Sequence, residues 1–158
     1  MAIPSRSSRP GTYFITTATY NRRRLFQTSA NAELFLEALQ HYRRLSHCKL
    51  HAFVVMPDHV HLILTPQSVA LERAIGFIKG GSSHRLASKL PVWQRGFTDH
   101  RIRDAEDMEA RRAYLHMNPV RGGLVKSAEL YPYSSAYRIE ELTSGAEAPS
   151  RPESLRHG

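Results

Sequence analysis

The chain reads as an α+β protein: an antiparallel sheet with helices on one face and an extra C-terminal helix. Three observations lead there. Short runs rich in β-branched and aromatic residues recur at 13–19, 48–56 and 59–65. Apolar residues recur at helical spacing through 29–46 and 69–88. The two kinds of segment alternate in the order strand, helix, strand, strand, helix, strand, with a last helix beyond.

Each element has a local reason. YFITTAT (13–19) is the first strand. In 29–46, Phe35, Ala38, Leu39, Tyr42 and Leu45 share one face, and Ser29 is placed to cap the start. CKLHAFVVM (48–56) and HVHLILT (59–65) are strands joined by a tight Pro57-Asp58 turn. Leu71, Ile75, Ile78 and Leu86 mark a second helix, which Gly80-Gly81 should weaken or break in two. VWQRGFTDHRIR (92–103) holds one or two extended pieces. Asp104 followed by Asp107 resembles a helix start, so 105–118 is the third helix. Pro119 should end it, because the residue before a proline is biased away from helix. The first six elements match the split βαβ pattern of a ferredoxin-like sheet.

The 158 residues suffice for one domain with a real core. The ends differ from the middle. Residues 1–10 read as a flexible arm and 140–158, rich in Ser, Pro, Gly and Glu, as a disordered tail, leaving 11–139 as the domain. Twenty-two Lys+Arg against 14 Asp+Glu give a net charge of +8, and 18 of the 22 are Arg. The planar guanidinium fork matches phosphate, so this excess points to nucleic acid before membrane. Arg6, Arg9, Arg22, Arg23 and Arg24 all precede the first acid, Glu33. One Cys excludes a disulfide scaffold and a Cys-ligated zinc site. No apolar run approaches the ~20 residues of a membrane span, and the start MAIPSRSSRP lacks the apolar stretch of a secretory signal. A soluble intracellular protein is expected.

Chemistry concentrates in a few places. In His59-Val60-His61, residues two apart on a strand point to one face, so two imidazoles stand side by side. Imidazole is the commonest side-chain metal ligand. The competing reading is two half-buried histidines filling a polar patch. On the third helix, Tyr114 and Asn118 are four apart and share a face, which sets a phenol and an amide against one target. They are otherwise a core aromatic and a helix-ending residue. Arg95, Arg101 and Arg103 offer phosphate contacts or a solvated face, and His100 reads as a surface histidine, with a site residue as the alternative. YPYSS (131–135) suggests a turn, with base stacking as the alternative.

Taken together these pieces resemble a known family. VVMPDHVHLIL (54–64), WQRGFTDHRIRD (93–104), YLHMNPVRGGLV (114–125) and YPYSSA (131–136) run in the order and with the usual spacing of the REP-associated tyrosine transposases, single-tyrosine enzymes with a His-hydrophobe-His site. With YFITTATYNRRRLF (13–26) the resemblance covers about residues 10–137. Gly122-Gly123 stands where the family often has Ala-Gly.

The resemblance implies that His59, His61 and Asn118 hold a divalent metal, Mg²⁺ or Mn²⁺, and that Tyr114 is the nucleophile. It implies single-stranded DNA bearing imperfect hairpins as substrate, cut and rejoined near REP-type hairpins through a covalent 5′-phosphotyrosine. Arg22, Arg23, Arg24, Arg101 and Arg103 are then the candidate DNA contacts. A monomer in the bacterial cytoplasm, associated with the nucleoid, is the expected form, with a homodimer as the alternative. A phenol has a reference pKa of ~10, so a base or neighbouring charge must assist, and the residues do not name it. The main rival is a catalytically idle hairpin-binding protein domesticated from a transposase. An RNA-binding or RNA-cleaving protein of the same sheet fold is the other.

Overall fold

A computed structural model describes residues 10–138. Four strands form one sheet: β1 Tyr13–Ala18, β2 Cys48–Val55, β3 His59–Pro66 and β4 Thr98–Arg101. Their order is β2-β3-β1-β4, and every pairing is antiparallel. With α1 Ser29–Arg44 between β1 and β2, and α2 Leu71–Leu86 between β3 and β4, this is the ferredoxin-like arrangement expected. The third helix, α3 Ala105–Arg121, follows β4. Residues 1–9 of the 1–10 arm, and the tail 140–158, lie outside the described residues.

Strand alternation divides β3 between two environments. Val60, Leu62 and Leu64 are fully buried, as are their β1 neighbours Ile15 and Tyr13. This face is covered by α1 and α2, which pack on one another. Burying such a side chain contributes about 1.5–3 kcal/mol, so the apolar face is the main source of stability. The other face carries His59, His61 and Ile63, in register with Ala18, Thr16 and Phe14. Here α3 lies across the sheet, its Asn118 reaching His61 and its Tyr114 reaching Phe14. The extra helix is thus on the face that α1 and α2 leave open.

Several local expectations need correction. Thr28, not Ser29, caps α1, its hydroxyl accepting from the Asn31 N–H. The helix ends at Arg44 rather than 46, because Leu45 and Ser46 leave helical geometry. Gly80-Gly81 does not break α2, which runs unbroken to Leu86. A Cβ at Gly81 would stand 2.6 Å from the Tyr42 ring of α1. The glycine allows the two helices to approach, and that packing outweighs its ~1 kcal/mol helix cost. Pro119 does not end α3 either, for the helix continues to Arg121 with Pro119 inside. Leu115, Asn118 and Pro119 are all buried, and packing against the sheet overrides the bias before proline. Asp104 caps α3 as expected, accepting from the Asp107 N–H at 2.8 Å.

The 131–136 segment is more than a turn. Val55 N–H donates to Tyr133 O, and Ser135 N–H donates to Phe53 O, so this segment covers the outer edge of β2. The Tyr131 hydroxyl donates to Val55 O at 2.6 Å. Tyr131 and Tyr133 are buried, and burial pushes the Tyr131 phenol above its ordinary range. Both rings are packed against the protein, which removes them as a free stacking platform.

Candidate active site on the open sheet face

The site is built from β3, β1 and α3. His59 and His61 face the same way, with ring centroids 4.9 Å apart. His61 is enclosed, only 5% exposed. The Phe14 ring stacks on it at 5.2 Å. Its Nδ1 bonds the Thr16 hydroxyl at 2.8 Å, and its Nε2 lies 3.1 Å from Asn118 Nδ2. An amide nitrogen can only donate, so Nε2 accepts, and the imidazole proton sits on Nδ1, donated to Thr16. Burial, followed by the charges of His59, Arg121 and Arg22, pushes the His61 pKa down to about 3. His61 is therefore neutral at physiological pH.

His59 is oriented by its sequence neighbour. Its Nδ1–H donates to Asp58 Oδ1 at 2.8 Å, which leaves the Nε2 lone pair for the site. Burial works against the Asp58 carboxylate. The hydrogen bond from His59, with the charges of His59 and Arg22, still holds its pKa below the ordinary value. The Pro57-Asp58 turn is fastened from outside: Thr19 N–H donates to Asp58 O, the Thr19 hydroxyl lies between Arg23 O at 2.7 Å and Asp58 O at 3.1 Å, and Phe26 N–H donates to Pro57 O.

Helix α3 supplies the other two expected residues. Asn118 is buried against His61, 9% exposed, while Tyr114 is 49% exposed at the mouth of the site. The Tyr114 ring lies 5.9 Å from His61 and 6.0 Å from Phe14, in edge geometry. The Arg121 guanidinium stacks 4.2 Å from the Tyr114 ring centroid and donates to the Tyr114 carbonyl. His116 points elsewhere, bonded to the Ser135 hydroxyl. So Tyr114, Asn118, His59 and His61 converge.

The donor set suits a divalent cation. Each imidazole has Nδ1 occupied by an oxygen of the protein. Asp58 leaves the His59 Nε2 for the site, while the His61 Nε2 accepts from the Asn118 amide, which must rotate to free that lone pair and offer its own oxygen to an ion. Among the described residues no three His, Cys, Asp or Glu side chains are placed to hold a metal ion together, so an ion here would need Asn118 or the substrate to complete its shell.

The arginines separate. Arg22 Nη1 lies 3.7 Å from Asp58 Oδ2, at the edge of the site. Arg24 is exposed, bonded to Gln27, and shares a pocket with His59 and Asn118. Arg23 turns away and donates to Pro91 O. Arg101 is in register with Tyr13, hence on the opposite face from His61, and its guanidinium donates twice to Pro10 O. Arg103 stands at the start of α3, 3.4 Å from Asp107. The structure does not bring Arg101 and Arg103 to the histidines.

Three residues that matter here escaped the sequence reading. Thr16 and Phe14 join the site only through cross-strand register, which no local signal gives away. Asp107 holds α3 to β4. It accepts from His100 at 2.8 Å and from the Arg103 N–H, bonds that pull its pKa well below the carboxylate range. Arg111, 3.5 Å from Asp107, also lies over the Phe14 ring. His100 is thus half-buried in this clamp rather than a free surface histidine.

Comparison with known proteins gives the family and the fold. A family model described as "Transposase IS200 like" matches residues 9–118. The REP-associated tyrosine transposase of Escherichia coli K12 is 30% identical over 130 residues, covering 81% of this chain and 78% of that one. A Haemophilus influenzae protein, provisionally given the same name, is 26% identical over 148 residues, covering 81% of each. A solved REP-associated tyrosine transposase, bound to a REP hairpin, superposes with a TM-score of 0.73 at 28% identity, covering 91% of this chain and 86% of that one. The chain belongs to the IS200-like transposases, among the REP-associated tyrosine transposases, a DNA-binding family.

Proposed function

We propose that this protein is a metal-dependent single-stranded DNA endonuclease and transposase that cuts and rejoins strands near imperfect hairpins. One observation carries the reading: Tyr114 and Asn118 of α3 meet the His59–His61 pair of β3, with Asn118 at 3.1 Å from His61 and the Tyr114 ring at 5.9 Å. A pure binder has no need of an exposed phenol beside two oriented imidazoles. The solved relative bound to a REP hairpin supports a DNA hairpin as partner.

The Tyr114 hydroxyl attacks the scissile phosphorus. A new Oη–P bond forms, the P–O3′ bond breaks, and the phenolic proton is balanced by the one that completes the free 3′-OH. The product is a 5′-phosphotyrosine, which keeps the phosphodiester energy and lets a 3′-OH later reverse the step. His59, His61 and Asn118 would hold the ion, Mg²⁺ or the more imidazole-tolerant Mn²⁺. When bound it polarises a phosphate oxygen and stabilises the leaving 3′-oxygen. Asp58 and Thr16 hold the two rings by Nδ1, and rotation of the Asn118 amide would free the His61 Nε2 lone pair for the ion. Arg121, stacked on Tyr114, adds positive charge where phosphate arrives. All these groups come from one chain, so a monomer suffices for the step.

The test is covalent capture. Labelled single-stranded hairpin oligonucleotides are incubated with protein and Mg²⁺ or Mn²⁺ and run on a denaturing gel. The expected result is a metal-dependent adduct, absent with Tyr114→Phe and with His59→Ala. Tight hairpin binding with no adduct in either metal would replace this reading with the idle binder. An RNA version that competes as well as DNA would point to the RNA-directed reading instead.

A further inference from the structure

Two pockets flank the histidine pair on opposite sides. The first, of about 370 Å³, lies on the β1–β4 side and is lined by Arg22, Arg95, Gln94, Thr98 and Thr16. Thr16 is the residue bonded to His61, so this pocket abuts the site. Its wall is braced: Lys79 Nζ donates to both Gln94 O and Gly96 O, at 2.9 and 2.7 Å. The second pocket, of about 230 Å³, lies at the β2–β3 turn and the end of α3, lined by Arg24, Asp58, His59, Asn118 and Leu124. It adjoins a third of about 240 Å³ that shares Arg24, Pro57 and Leu124 and adds Phe26, Tyr131 and Tyr133.

The run Arg22-Arg23-Arg24 is divided between these pockets. Asn21 and Arg22 both have left-handed backbone, with φ of 53° and 54°. An arginine in this region is uncommon and costs strain. It turns Arg22 to one side of Asp58, while Arg24 comes out on the other and Arg23, which lines neither pocket, donates from Nη1 to Pro91 O. Among the described residues that line the two pockets the one acid is Asp58, and it is already paired with His59 and Arg22. Leu124, 40% exposed, presents an apolar surface beside Arg24, which suits an unpaired base next to a bound phosphate.

We propose that one DNA strand crosses the histidine pair with its nucleotides on the two sides of the reacting phosphate held apart, one stretch in the Arg22–Arg95 pocket and the other in the Arg24–Leu124 groove. Arg22 and Arg24 grip phosphates on opposite sides of the site, and Arg23 is structural. Continuity assigns the occupant: the first pocket contains a residue bonded to His61, and the second contains His59 and Asn118 themselves. This path rests on the single-stranded DNA reading above.

Photocrosslinking tests it without knowledge of the cut position. In the Tyr114→Phe background, Thr98→Cys and Leu124→Cys are each coupled to an aryl azide. The native Cys48 is buried, with its thiol pushed up to about 11, and does not compete. Each protein is irradiated with a pool of hairpin oligonucleotides carrying single-stranded flanks on both sides, and crosslinked nucleotides are mapped by primer-extension stops. Two separate stretches of the same strand are expected. Arg22→Ala should weaken the position-98 crosslink about tenfold and spare the position-124 one, with Arg24→Ala doing the reverse. Crosslinks from both positions to the same nucleotides, or equal effects of the two substitutions on both crosslinks, would overturn the divided path and leave the nuclease reading standing. Failure of the parent protein to bind any flanked hairpin would overturn both.

Discussion

Two faces of one strand do opposite work. Val60, Leu62 and Leu64 of β3 lie in a dry core under α1 and α2, while His59 and His61, one residue out of phase, look the other way into the site beneath α3. On the core face shape and apolar area are enough, and chemically similar residues would serve. On the site face three of the four imidazole nitrogens have an assigned partner: Thr16 for His61 Nδ1, Asp58 for His59 Nδ1, Asn118 for His61 Nε2. The two faces are locked together, because a one-residue slip of register would exchange them. The stability made on one face therefore holds the histidines on the other to hydrogen-bond precision.

Substitutions that separate the faces put this contrast to the test. The largest effect should come from Tyr114→Phe, which removes one oxygen from an exposed ring. Adduct formation should fall at least about 10³-fold while the melting temperature stays put. Leu62→Ala should do the converse. It should cost about 2–5 kcal/mol of stability by denaturant titration and leave the activity of the molecules that remain folded unchanged. A Tyr114→Phe protein that melts early, or a folded Leu62→Ala protein that is inactive, would erase the distinction.

The site face also has a pH signature. His61 has its pKa lowered from 6.5 to about 3 by burial first and neighbouring positive charge second. Between those values the unfolded chain binds a proton that the folded one refuses. The stability is therefore fully present above about pH 6.5 and is lost as pH falls toward 3. In the ion-free protein, His61→Gln should flatten that part of the profile. A parent profile flat from pH 6.5 to 4.5 would contradict the enclosed, neutral His61.

Smaller effects refine the comparison. Thr16→Val keeps the shape of a β-branched side chain and removes the acceptor for His61 Nδ1–H. Calorimetric Mn²⁺ affinity should drop about 10–100-fold with little change in melting. Unchanged affinity would mean that Thr16 does not orient His61. Gly81→Ala, on the α1–α2 side, sets a methyl against the Tyr42 ring and should cost about 1–3 kcal/mol with adduct chemistry unaltered.

How much of this was legible beforehand follows the same division. Strands and helices were readable, because period-2 and period-3.6 patterns record which side of each element is dry. His59, His61, Tyr114 and Asn118 were readable as pairs within single elements. Their convergence was not written locally, since it depends on α3 crossing the face opposite α1 and α2. The misread positions are ones where tertiary packing outweighed a local preference: Gly81 against Tyr42, Pro119 buried within α3, the tyrosines of YPYSS packed at the β2 edge. The arginine run shows the limit most clearly. Arg22, Arg23 and Arg24 are equivalent as letters, yet two left-handed residues and one carbonyl acceptor send them three different ways.

The central claim is that the phenol of α3, presented to the histidines of β3, is the atom that takes the DNA. Peptide mass spectrometry of the captured adduct tests it most directly. Trypsin releases residues 113–121, AYLHMNPVR, whose single tyrosine is Tyr114. The expected result is a nucleotide phosphate on that peptide, localised by fragmentation to Tyr114. The same modification on any other residue, with Tyr114 unmodified, would contradict the account.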